Sequence, residues 1–273
     1  MSDIRWIDAP ANAHGRAARL AVRATGAGPL TVLLHGYPLD HRMWDAVRDG
    51  QLADHRTLAA IDLRGHGSSP SAGDDAHAME RFADDVAAVV DALAPDGRAD
   101  VVGLSMGGYA ALAFAERHPQ RLRSLALVDT RAAADAPAAR ANREAAIAMA
   151  TTQGASAIAD AMLPKLLAPG ADPAVAKALR AMIADTPVAT IVADLRGLRD
   201  RADRTALLPA IAAPALVVVG EHDAITPVAE AEAMACALPC ARLVVVPGAG
   251  HMTPMEQPAA FAEALAAFWR AIG

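Results

Sequence analysis

Aromatic side chains are scarce in this chain, with four Phe, three Trp and two Tyr among 273 residues. Lysine is scarcer still, only Lys165 and Lys177, so arginine carries nearly all the positive charge. No block of Lys or Arg occurs anywhere, and the formal net charge is −6. The electrostatic footprint of a nucleic-acid binder is therefore missing. No apolar run approaches the length of a membrane span, and Met1 to Pro10 has no basic region followed by an apolar stretch. The chain reads as a soluble cytoplasmic protein with neither nucleic acid nor membrane as partner. Cysteine is limited to Cys236 and Cys240. Two cysteines cannot make a disulfide framework, and no second Cys/His pair stands at zinc-ligand spacing. Pro239 ends any helix between them. A redox pair or half of a metal site is the sharper interpretation, and two small buried thiols the favoured one.

What is present is an ordinary globular composition, 54% hydrophobic and 21% charged, long enough to bury a sizeable core. Runs of Val, Leu and Ile alternate with helical patterns, the mark of βα units on a mostly parallel, doubly wound sheet. Strands are expected at 30–34, 56–62, 100–104, 122–128, 215–219 and 242–246, with a leading antiparallel pair at 4–8 and 19–23. That makes an α/β fold of about eight strands. Several strands lack alternation and should be buried on both faces. The segment 79–93 sets Phe82, Val86, Val89, Val90 and Leu93 on one helical stripe, and 106–117 and 258–272 behave similarly. From Arg131 to Leu208 the alternation breaks into Ala-rich helical pieces punctuated by Gly154, Pro164, Pro169, Pro173 and Pro187. This is a helical insertion at 131–208 within a sheet domain made of 1–130 and 209–273.

Gly103-Leu104-Ser105-Met106-Gly107-Gly108 follows a buried strand and opens a helix. That context turns G-x-S-x-G from a chance pattern into a candidate nucleophile turn. The helix start aims its free N–H groups at the place where an oxyanion would form. The plainer alternative is a Gly/Ser turn that caps a helix, so the assignment depends on finding a base and an acid at other strand ends. Of nine histidines, His14, His41, His55, His77 and His118 look like surface or helix positions. His251 follows the last strand across Pro247-Gly248-Ala249-Gly250, which brings it to the sheet edge that carries Ser105. An imidazole there can take the serine proton and return it to the leaving group. The acid belongs at a strand end between the two, in the order Ser, Asp, His. Asp223 fits best, Asp129 is its rival and Glu221 the third choice.

With HGYP at 35–38, DLRGHG at 62–67, GLSMGG at 103–108, GEHD at 220–223 and GAGH at 248–251, the chain resembles the α/β-hydrolase superfamily. HGYPLDHRMW at 35–44 with GLSMGG is similar to the bacterial arylesterase, non-haem haloperoxidase (perhydrolase) and enol-lactonase group. The resemblance implies an oxyanion hole made by the backbone N–H groups of Tyr37 and Met106. It also implies a helical cap where the insertion lies, and chemistry that needs neither metal nor organic cofactor. His35 and His66 are expected to fasten loops. Leu104, Ile225 and Met252 adjoin catalytic positions and are candidate pocket residues. Trp44 either lines the entrance or anchors its helix. Met149, Ile158, Met162, Leu163, Leu166 and Met182 suggest an apolar pocket without a charge clamp, although most of them suit the insertion's own core.

The implied activity is hydrolysis of small or medium apolar esters or lactones through an acyl-enzyme, by a monomer or small homo-oligomer. Perhydrolysis and carbon–carbon hydrolysis share the triad. Dehalogenases and epoxide hydrolases of the fold use an aspartate where Ser105 stands. A non-catalytic binding protein of the same fold is the contrasting class.

Overall fold

A computed structural model describes residues 4–11 and 15–273; His14 lies outside these. Eight strands are found: β1 (Ile4–Ala9), β2 (Ala18–Thr25), β3 (Leu30–Leu34), β4 (Thr57–Asp62), β5 (Ala99–Leu104), β6 (Leu122–Val128), β7 (Ala215–Gly220) and β8 (Ala241–Val246). They form one sheet in the order β1-β2-β4-β3-β5-β6-β7-β8. β2 runs antiparallel to β1 and β4, and every other neighbouring pair is parallel.

Ten helices accompany the sheet among the described residues: α1 (Asp45–Arg48), α2 (Met79–Leu93), α3 (Met106–Arg117), α4 (Pro137–Gln153), α5 (Ala155–Leu166), α6 (Pro173–Asp185), α7 (Val188–Asp200), α8 (Val228–Ala237), α9 (Thr253–Glu256) and α10 (Pro258–Ile272). One apolar cluster joins a sheet face to α2, α3 and α8, and a second joins the other face to α1, α10 and the inserted helices. The stripe on α2 buries Phe82, Val86, Val89 and Val90 fully and Leu93 in part. Each such side chain contributes about 1.5–3 kcal/mol by leaving water. No helix among the described residues is long and apolar enough to cross a membrane.

Three expectations change. β3, β5 and β7 are buried along their whole length, but β8 is not: Leu243 and Val245 are 36% and 39% exposed. β8 is the last strand in the sheet and pairs only with β7, so its apolar run lies at an edge. The cysteines are both exposed free thiols, because α8 stops at Ala237 and turns its tail outward. His77 is buried, 1% exposed, instead of lying on the surface.

The helices α4 to α7 all lie between β6 and β7 in the chain. Pro137 and Pro173 open α4 and α6, and Asp172 caps α6 by accepting from the Ala174 N–H at 2.8 Å. α7 docks onto the β4–α2 connection through a buried polar cluster. Asp194 accepts from His77 Nδ1 at 2.7 Å and from His66 Nε2 at 2.8 Å, while His66 Nδ1 lies 3.1 Å from the Arg64 carbonyl oxygen. Both His66 nitrogens face acceptors, an arrangement that favours the doubly protonated ring. Burial opposes this charge, yet Asp194 and the Arg64 carbonyl raise the His66 pKa. Burial likewise would raise Asp194, but the two histidines hold it down to about 2. Thr190 Oγ1 donates to the Gly65 carbonyl at 2.9 Å, and Thr186 Oγ1 to the Pro38 carbonyl at 2.9 Å.

Candidate active site

Ser105 sits between β5 and α3 with φ 52° and ψ −110°, a left-handed conformation unusual for a side chain with a Cβ. Its N–H donates to the Val128 carbonyl at 2.9 Å, and Thr130 Oγ1 donates to its carbonyl at 2.8 Å. The turn is sharp enough that a Cβ on Gly103 would lie 2.2 Å from the Gly107 carbonyl oxygen. One on Gly107 would lie 2.3 Å from the Leu34 carbonyl oxygen. Glycine at both places lets α3 begin against the end of β3, where the 35–38 segment starts. Met106 is the first residue of α3, so its N–H has no acceptor within the helix. The Tyr37 N–H forms no hydrogen bond among the described residues.

His251 is 3% exposed and lines the same small cavity as Ser105. Its Nδ1 is 2.8 Å from Asp223 Oδ2, which leaves Nε2 as the nitrogen free for chemistry. Asp223 is fixed in turn. Oδ1 accepts from the N–H groups of Ile225 and Thr226 at 2.8 and 2.9 Å, and Oδ2 accepts from Thr226 Oγ1 at 2.6 Å. Burial would raise the Asp223 pKa, but the hydrogen bond and charge of His251 with the Thr226 donors outweigh it and hold the carboxyl below its usual value. The rival Asp129 meets different partners: the Gly220 N–H at 2.9 Å, and Thr253 through Oγ1 at 3.0 Å and N–H at 3.2 Å. Complete burial and the neighbouring Asp223 charge push it well above the ordinary range. Glu221 accepts from the Gly248 N–H at 3.0 Å and is exposed.

The cavity is narrow, about 60 Å³. Tyr37, Leu104, Met106, Ile225 and Met252 are on its wall. Trp44 is not: it is fully buried and packs 5.9 Å from the Phe261 ring. A position near the 35–38 segment in sequence does not say which side of the chain faces the pocket. The insertion contributes Arg143, Met162, Leu166 and Leu198. Met149, Ile158, Leu163 and Met182 belong instead to the apolar cluster beneath. A groove of about 900 Å³ lies elsewhere, at the amino ends of β3 and β4 against α10, and holds none of the candidate residues. Catalytic groups in such sheets gather at the carboxyl ends of the strands.

Two other histidines, His35 and His41, serve structure. His35 Nε2 accepts from the Leu63 N–H at 3.1 Å and Nδ1 donates to the Gly36 carbonyl at 3.0 Å; burial and the neighbouring His66 lower its pKa to about 4. His41 bonds Asp62 at 2.7 Å beside Asp40, a grouping whose ligand atoms lie close enough for a cation. Arg23 Nη1 already lies 3.0 Å from both Asp62 Oδ2 and His41 Nδ1, and Arg42 holds Asp40, so guanidinium charge fills the role a metal would have.

Sequence reasoning misses Glu256. Its Oε1 accepts from the N–H groups of Gly250 and Met252, at 2.9 and 3.2 Å, and its Oε2 from Ala168 at 2.7 Å. It thus clamps both flanks of His251 and ties them to the end of α5, whose Leu166 carbonyl also accepts the His251 N–H at 2.9 Å. The Asp223-Ala224-Ile225-Thr226 run is an Asx-type turn whose spacing could have revealed Thr226. Nothing local distinguishes Arg143.

A family model described as alpha/beta hydrolase fold matches residues 29–258. This chain belongs to the α/β-hydrolase fold family. It is 37% identical to a pimeloyl-[acyl-carrier protein] methyl ester esterase of Chromobacterium violaceum over 77% of this chain and 82% of that protein. Among solved structures it is similar to a thermophilic esterase from Thermogutta terrifontis with malate bound, 39% identical, TM-score 0.93, covering 99% of both chains. It is also similar to the enol-lactonase of Burkholderia xenovorans, 30% identical, TM-score 0.84, covering 93% of this chain and 97% of that one. The protein is an esterase-type α/β-hydrolase of the esterase and lactonase group.

Proposed function

We propose that this α/β-hydrolase cleaves esters or lactones of small acids through an acyl-enzyme on Ser105. The observation that carries the proposal is the 2.8 Å pairing of Asp223 Oδ2 with His251 Nδ1, while His251 and the strained Ser105 line one cavity. His251 Nε2 takes the Ser105 hydroxyl proton as Oγ attacks the carbonyl carbon. The carbonyl oxygen becomes an oxyanion held by the Tyr37 and Met106 N–H groups, each donor worth about 2.7–4 kcal/mol in the transition state. His251 then returns the proton to the leaving alkoxide, and water repeats the sequence on the acyl-enzyme. Asp223 fixes the imidazole tautomer and stabilises its charged form. This chemistry calls for no metal or organic cofactor.

Residues 131–208 act as a cap over the sheet domain of 1–130 and 209–273. The cavity beneath, about 60 Å³, is well under the roughly 150 Å³ of an apolar cavity that accepts benzene, so acyl groups of a few carbons are favoured. The resemblance to an enol-lactonase extends the substrate class to lactones. A fluorophosphonate probe should label Ser105 in the folded protein, and a chain-length series of p-nitrophenyl esters with simple lactones should favour the shortest acyl groups. Activity that survives Ser105→Ala would overturn the mechanism, and failure to label together with no turnover would leave a binding protein of the same fold.

A further inference from the structure

The cavity wall is apolar except for a few groups, and two of them lack partners. The Tyr37 hydroxyl oxygen is buried and has no hydrogen-bond partner. Leaving such a group unsatisfied costs about 1–3 kcal/mol. Arg143, on α4, uses only Nε, which donates to Asp135 Oδ2 at 3.0 Å; its Nη atoms make no hydrogen bond among the described residues. Asp135 is shared, because the more deeply buried Arg201 also pairs with it and stacks 4.2 Å over the Tyr109 ring. One carboxylate therefore faces two guanidinium groups, and the Arg143 Nη atoms are left without a hydrogen-bond partner among the described residues at a half-buried place on the cavity wall. Burial raises the Tyr37 pKa and the Asp194 charge adds to it, while the Arg143 charge pulls it down more weakly, so the hydroxyl lies within reach of both charges. The other nearby acid, Asp194, is saturated by His66 and His77.

We propose that the cavity recognises a substrate carboxylate: the free Nη groups of Arg143 and the Tyr37 hydroxyl bind it, making the enzyme selective for monoesters of short dicarboxylic acids. The inference rests on the Ser105 reading for its reaction but names the substrate class of that site independently. A guanidinium offers a planar pair of donors to a carboxylate, and such charge-assisted bonds are about twice as strong as neutral ones. A neutral ester of equal length leaves both donors unmatched.

The test compares monomethyl succinate with methyl butyrate, which differ chiefly in the terminal carboxylate, by kcat/KM on the full-length protein. Wild type should prefer monomethyl succinate by about tenfold or more, Arg143→Met should bring that ratio to about one, and Arg143→Lys should keep part of it. A wild type without the preference, or a preference that survives Arg143→Met, would overturn the proposal. If Arg143→Met melts early, Arg143→Gln replaces it under the same criteria. Binding is measured separately on Ser105→Ala by calorimetry. There, monomethyl succinate should bind about tenfold more tightly than methyl butyrate, and equal affinities count against the proposal. Loss of Ser105 labelling sinks the acyl-enzyme reading alone, since the calorimetric comparison still decides whether a carboxylate is recognised.

Discussion

The turn around Ser105 and the inserted helices are built on different principles. The first is held by backbone: two glycines in close contact, strand hydrogen bonds on either side, and a serine forced to φ 52°. The second is held at its sheet-facing side by a few polar contacts, Asp194 with two histidines, Thr186 with Pro38 and Thr190 with Gly65. Position of Ser105 is thus a property of chain geometry, and position of the inserted helices is a property of side-chain contacts, apolar packing together with a buried charge cluster. The first should be indifferent to pH and the second should not.

The largest effect that sharpens this contrast lies on the rigid side. Asp223→Asn should lower kcat by about 10⁴ with the fold unchanged by circular dichroism, since it removes the acceptor that fixes the His251 tautomer. Asp129→Asn, whose carboxyl bonds Gly220 and Thr253 instead, should leave kcat far less affected. A reversal of the two would move the acid to Asp129.

On the side of the inserted helices, Asp194→Asn removes the acceptor and charge partner of two buried histidines and should cost about 3–5 kcal/mol. The pH dependence of the melting temperature carries a more specific sign. Asp194 is depressed to about 2, so its contribution is full above the ordinary aspartate pKa and fades as pH falls toward 2. His66 is raised above 6.5, so its contribution is full below 6.5 and fades as pH rises through the folded value. His35, depressed to about 4, adds a loss as pH falls from 6.5 toward 4. Asp194→Asn should flatten the alkaline fall and the loss near pH 2 while keeping the part of the His35 component that burial causes. An unchanged alkaline limb would mean that His66 is not the group that titrates.

Smaller still is the effect at Glu256, which ties the His251 loop to the inserted helices. Glu256→Ala leaves the N–H groups of Gly250, Met252 and Ala168 without their acceptor, and should cost about 1–3 kcal/mol in thermal stability with a modest fall in kcat. A variant with kcat lowered as far as in Asp223→Asn would assign Glu256 a direct part in holding the base.

Most of the sheet is legible in the sequence because each strand announces itself locally. Ser105 is legible for the same reason, its strand, turn and helix all lying within a dozen residues. Leu104, Ile225 and Met252 follow from adjacency, and adjacency fails for Trp44, whose ring turns toward Phe261. β8 reads as buried because composition does not reveal that it ends the sheet order. His66 and Asp194 lie 128 residues apart, and Arg143 meets Tyr37 only once the insertion folds back. Such encounters depend on tertiary closure, and no periodicity within a segment encodes them.

That closure has a thermodynamic side. β6 and β7 are neighbours, Leu125 beside Ala215, although residues 129–214 separate the strands in the chain. The entropy of closing a loop grows only with the logarithm of its length, about 0.6 kcal/mol for each doubling. The sheet is therefore nearly insensitive to how much chain the gap contains. Lengthening or trimming the segment between these two strands therefore carries little entropic cost, and what any replacement must supply is the burial and the Asp194, Thr186 and Thr190 contacts that hold the present helices in place.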